Sequence, residues 1–111
     1  MIAVIFEVIP AEGNRSAYLD IAGQLKPHLQ EIDGFISVER FESLVTPGKL
    51  LSLSYWRDEA SVKAWRKQQD HRVAQHTGRK ELFETYRIRV ATVLRDYGPD
   101  TRAQAPADNQ P

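Results

Sequence analysis

The side chains best suited to chemistry gather in one stretch of the chain, where Tyr55, Trp65, His71, Gln75, His76, Arg79, Phe83 and Tyr86 follow one another. An imidazole titrates near neutral pH when unperturbed, so His71 or His76 can take a proton from a bound molecule. The competing reading leaves both solvated on a polar helix face with Arg66, Lys67, Gln68 and Gln69. Trp65 and Tyr86 can shape a pocket for a flat molecule by stacking, with Tyr55, Phe83 and Arg79 beside them; equally, Trp65 can be a core anchor and Tyr86 a core residue. Trp56, at a strand end, reads as a rim or interface residue by the same logic.

Other chemistries lack their residues. His71 and His76 are five apart, which does not place both on one helical face, and no acid sits at a ligand spacing from them, so no dedicated metal site is expected. Cysteine is absent, which removes disulfides, thiolate nucleophiles and cysteine-ligated zinc. Ser52 and Ser54 lie mid-strand with no nucleophile elbow around them. Six glycines are scattered and form no phosphate-binding loop. Arg87 and Arg89, on one strand face, are expected to pair with Glu39 and other carboxylates of the sheet.

These residues need elements to hold them. Ile2 to Ile9 is β-branched and almost continuously apolar, a strand buried on both faces, ended by Pro10. Asn14 or Ser16 can cap a helix whose apolar stripe is Tyr18, Ile21, Ala22, Leu25, Leu29 and Ile32. Pro27 should kink or interrupt it, and Asp33-Gly34 should stop it. Phe35 to Ser43 reads as a second strand, with Phe35 and Phe41 on one face and Ile36 and Val38 on the other. Thr46-Pro47-Gly48-Lys49 is a turn, and Leu50 to Trp56 completes an antiparallel hairpin. Asp58 can cap a second helix from about Glu59 to Gln75. Tyr86 to Leu94 is the fourth strand, with Tyr86, Ile88, Val90 and Leu94 opposite Arg87, Arg89 and Arg95.

The order strand–helix–strand–strand–helix–strand is that of an α+β, ferredoxin-like βαββαβ domain with an antiparallel four-stranded sheet and both helices on one face. The domain is expected over residues 1–97, with 98–111 a flexible tail. Two helices cover only one side of such a sheet. The first strand is apolar on both faces, and the third sets Leu51, Leu53 and Tyr55 against Ser52, Ser54 and Trp56. A second copy presenting its own sheet is the simplest cover, so a homodimer is expected. Lys plus Arg and Asp plus Glu are 15 each, which gives no electrostatic argument for nucleic acid or an anionic membrane. No segment approaches the roughly 20 apolar residues of a membrane span, and no leader is recognisable at the start, so the default location is cytoplasmic.

The segment Leu51-Ser52-Leu53-Ser54-Tyr55-Trp56-Arg57-Asp58-Glu59-Ala60, followed by Trp65 and His71, resembles the antibiotic biosynthesis monooxygenase family, and so does the Asp33-Gly34-Phe35 junction. The likeness covers roughly residues 2–97 and implies a dimeric α+β barrel. It also implies a cavity between sheet and helices in each subunit, with Trp65 as the cleft tryptophan and His71 as the helix histidine. Members of the family include cofactor-independent oxygenases of aromatic and quinol-like molecules, haem-degrading enzymes and dimers of no known activity. The first branch implies a small monooxygenase that binds a small aromatic molecule and needs no dedicated cofactor. The haem branch would require His76 to act where this chain's register has Gln75, and it expects an Asn in the first strand, where this chain has Phe6 and Glu7. The non-enzymatic alternative is a dimeric small-molecule-binding or stress-response module.

Overall fold

In the computed structural model the described residues are 1–76 and 83–108, less the side chains of 70–76. The elements follow the expected order: β1 (Ile2–Pro10), α1 (Arg15–Leu29), β2 (Phe35–Glu42), β3 (Leu50–Trp56), α2 (Glu59–His76) and β4 (Phe83–Thr92). One antiparallel sheet runs in the order β2-β3-β1-β4. Hydrophobic β1 therefore takes a central place, laddered to β3 on one side and β4 on the other, while the more polar β2 and β4 form the edges.

Alternation along β1 divides its side chains between the two faces. Val4 and Phe6 face the helices, and Val8 lies on the same side at 1% exposure; Ile5 and Glu7 take the other side. Val8 joins Tyr18, Ile21, Leu25 and Leu50 in the buried core, with Phe6, Trp65 and Phe83 packed against it. The buried residues of α1 are Tyr18, Ile21, Ala22, Leu25 and Leu29, so the stripe read from the sequence is the one that packs.

Strand β4 begins at Phe83 and ends at Thr92 instead of running from Tyr86 to Leu94, which leaves Leu94 outside it, and four further details differ from the expectation. Helix α1 ends at Leu29 and leaves Ile32 outside it, in a run of turns in which Gln30, Glu31 and Ile32 donate backbone N–H groups to Lys26, His28 and Leu29. Pro27 sits in the last turn, where a missing N–H deprives only one carbonyl of its donor, so the helix runs two residues past it. Asn14 occupies the N-cap position without a side-chain capping bond. Strand β2 carries an irregularity between Phe35 and Ser37 that resets its two-residue period. Phe35 consequently lies opposite Trp56, in edge contact at 5.3 Å, whereas Phe41 pairs with Leu51 on the helix-free face. The two phenylalanines do not share a face.

The junction before α2 is tied by charge. The Arg57 guanidinium donates to both oxygens of Asp33 at 3.1 Å and through Nε to Asp58 at 3.0 Å. Asp58 caps α2 as expected, accepting from the Ser61 hydroxyl at 2.7 Å and the Ser61 N–H at 2.9 Å. Those Ser61 bonds, with Arg57 behind them, lower the Asp58 carboxyl from its ordinary 3.8 to about 2. Arg57 likewise lowers Asp33, chiefly by hydrogen bonding. Gly34 adopts a positive φ of 95°. A Cβ there would sit on Ser61 Oγ and 2.9 Å from Ser61 Cβ, so only glycine fits this crossing.

Candidate active site

The inner side of β3 is unusual. A sheet face beneath two helices ordinarily carries branched apolar residues, and here it presents Ser52 and Ser54 at the centre, with Leu51, Leu53 and Tyr55 turned to the opposite face. Two small side chains under helix α2, whose inward apolar residues are Val62 and Trp65, leave volume unfilled. The result is a cavity of about 240 Å³ between sheet and helices, which suits a small organic molecule. A hollow of about 50 Å³ adjoins it toward the end of α1 and shares Ser52, Ser54, Trp56 and Trp65 with it.

Aromatic rings build one wall. Phe6 meets Phe83 at 5.7 Å and Tyr86 at 5.9 Å; Phe83 meets Tyr18 at 5.7 Å and Tyr86 at 5.6 Å, all edge to face. Ile88 and Val90 extend this wall along β4, and Ile21, Ala22 and Leu25 of α1 form the roof. Trp65 does both jobs the sequence left open: it packs against the core and lines the cavity. Trp56 is not a rim residue. It is 1% exposed, packed by Phe35, and its indole N–H donates to Ser54 Oγ at 2.9 Å.

Of the residues singled out from the sequence, Trp65, Phe83 and Tyr86 come together around the cavity. Tyr55 does not join them, because β-strand alternation turns it away from Ser54 and Trp56 to the helix-free face. His71, His76 and Arg79 lie outside the described residues. The cavity also enlists Arg40, Ser52, Ser54, Arg66 and Gln69, which the sequence did not single out as site residues. Arg66 and Gln69 share the helix face of Val62 and Trp65, because positions 62, 65, 66 and 69 follow the three- and four-residue spacing of one face, which was the available signal. Among the described residues no group of three or more His, Cys, Asp or Glu is placed to hold a metal ion, and no helix is long and apolar enough to cross a membrane.

On the helix-free face, Ile5, Leu51, Leu53 and Tyr55 are half-buried and Phe41 is exposed. At its margin Glu7 meets Lys49 and Arg89, each at 3.4 Å, and the Lys49 hydrogen bond is the main reason its carboxyl is lowered. Arg89 thus finds a sheet carboxylate, and that carboxylate is Glu7.

Comparison with known proteins agrees with this architecture. The chain is 48% identical over 93 residues to the jasmonate monooxygenase ABM of Pyricularia oryzae, a match that covers 84% of this chain and 43% of that protein, so the chain spans less than half of that relative's length. It is 31% identical over 93 residues to the uncharacterised protein YqjZ of Bacillus subtilis, covering 84% of this chain and 79% of the other. Among solved structures, Rv0793 from Mycobacterium tuberculosis superposes with a TM-score of 0.74 at 22% identity, covering 87% of this chain and 98% of that one, a likeness of fold. The sequence profile described as antibiotic biosynthesis monooxygenase matches residues 1–77, and with β1, the Asp33-Gly34 junction, β3 and Trp65 all inside that span, the chain belongs to the antibiotic biosynthesis monooxygenase family.

Proposed function

We propose that this protein is a monooxygenase acting on a small, largely apolar, ring-bearing molecule held between Trp65 and the Phe6–Phe83–Tyr86 wall. The observation that carries this is the 240 Å³ cavity with an aromatic wall and a few hydroxyl, amide and guanidinium groups among apolar ones. Family membership and a 48% identical relative named as a monooxygenase of jasmonate support the reaction type.

The reading needs no dedicated cofactor when the substrate is electron-rich. An activated methylene beside aromatic rings, CH2, reacts with O2 to give a C=O group and one water, and the substrate supplies all four electrons. Loss of a proton from that carbon raises its electron density toward O2. His71 and His76 are the proposed bases and Arg79 a further proposed substrate-binding group, with Trp65, Phe83 and Tyr86 orienting the ring. A substrate without such a position needs an added two-electron donor, the second oxygen atom then leaving as water.

Oxygen uptake tests this directly. A panel of quinols and anthrone-type compounds, and jasmonate with and without a two-electron donor, is offered to the protein under ¹⁸O2. Incorporation of one labelled atom per turnover, lost in Trp65→Ala and in one of His71→Ala or His76→Ala, is the expected result. Saturable binding with no uptake by any compound would overturn catalysis in favour of a binding module.

The same reading includes self-association. The apolar strip Ile5, Leu51, Leu53 and Tyr55 has no helix over it, and a two-fold partner offers the matching strip.

A further inference from the structure

The charge around the cavity is one-sided. Arg40 of β2 and Arg66 of α2 line the main volume, and Lys26 of α1 lines the adjoining hollow, which Arg40 also borders. No carboxylate is among the described residues lining either space. Other arginines of the molecule do find acids: Arg15 holds Glu42 and Arg57 holds Asp33, both at 3.1 Å, and Arg89 meets Glu7 at 3.4 Å. Among the described residues, Arg40 and Arg66 make no such pair. Both are exposed, so their guanidinium groups meet solvent at the cavity's rim while the interior beside them is aromatic and aliphatic.

Cations at the rim of an apolar cavity match a molecule with an apolar body and an anionic end. A planar guanidinium suits a carboxylate, which it can grip through two parallel N–H bonds. A phosphate would be better served by a helix N-terminus or a nest of backbone N–H groups, and the cavity is walled by strand interiors and helix flanks. We propose that the ligand of this cavity is a small carboxylic acid bound as its anion, the apolar body against Phe6, Trp65 and Tyr86 and the carboxylate held by Arg40 and Arg66 with the Gln69 amide. The proposal rests on the functional reading above in one respect, that this cavity is where the substrate sits.

Calorimetric titration of the full chain with 4-phenylbutyrate and with 4-phenylbutyramide, which share a carbon skeleton and differ in charge, separates the two ideas. The acid is expected to bind about tenfold or more tightly than the amide, as a charge-assisted hydrogen-bonded pair implies, and to lose part of that advantage as salt is raised. The Arg40→Gln/Arg66→Gln double variant should bind both probes alike, at the parent's affinity for the amide. Arg87→Gln, altered on the helix-free face, should keep the parent's preference, and thermal melts should show both variants folded. Equal binding of acid and amide by the parent, or a preference that survives the double variant, would overturn the carboxylate assignment and leave the cavity reading standing. No saturable binding of either probe would overturn both.

Discussion

Ser52 lies in the middle of β3, on the side where a branched apolar residue would fill the space beneath α2. Its replacement by leucine should therefore fill the cavity instead of straining the fold. Ser52→Leu is expected to raise stability by about 1 kcal/mol through added burial and to lower oxygen uptake at least tenfold; a variant with normal turnover would place the reaction elsewhere. The two tryptophans should separate in the same way. Trp56→Ala removes a fully buried ring and strands the Ser54 hydroxyl, so an unfolding cost of about 3–5 kcal/mol is expected by denaturant titration. Trp65 is only half-buried and lines the cavity, and its removal should weaken ligand binding more than it weakens the fold. Trp65, Phe83 and Tyr86 could be picked from the sequence because aromatic residues near a helix–strand junction serve either a core or a cleft, and here they serve both. The serines and Arg40 could not. Alternation tells which residues of a strand share a face, but not which face the helices take.

At the level of elements, the Arg57–Asp33–Asp58 tie fixes where α2 begins and hence where Trp65 is carried. Both carboxyls are lowered in the folded state. Asp58's contribution to stability is therefore fully present above its unfolded value near 3.8 and is lost as pH falls through about 2, and Asp33 adds a contribution of the same sign. Asp58→Asn keeps a capping oxygen but cannot titrate, and its melting temperature should fall less steeply than the parent's between these two pH values. Gly34→Ala should be costlier, about 1–3 kcal/mol, since the new Cβ meets Ser61 while the backbone holds a positive φ; Ser61→Gly in the same chain should restore part of the loss. The order and identity of all six elements were legible because apolar periodicity and turn chemistry agreed along the chain. The irregularity at Phe35–Ser37 was not, because an extra residue in one strand is set by its pairing with Trp56 and Tyr55 and leaves no mark in the strand's own composition. The end of α1 at Leu29 was missed for a related reason. Ile32 fits the stripe by spacing, but turns after Pro27 hold it close without a helix.

For the molecule as a whole, the proposed dimer rests on the face away from the helices. Leu53 sits at the centre of that face, paired with Ile5 on one side and Glu39 on the other. If a second copy covers it, Leu53→Glu should convert a dimer to a folded monomer, read by light scattering at micromolar concentration; a parent that is already monomeric there would remove the dimer from the account. The sheet order has a further consequence, for how the chain is made. Within the domain β1 is made before both of its partners, β3 and β4, and its ladder to β4 pairs Ile2 with Thr92, while Val93 N–H closes onto Met1 O at 3.0 Å. Nine residues, mostly apolar and β-branched, therefore wait without one of their two neighbours until nearly the whole domain has left the ribosome. Pairing so distant in sequence makes folding slow, and over that interval β1 is the stretch most open to capture by chaperones or by another nascent copy of itself.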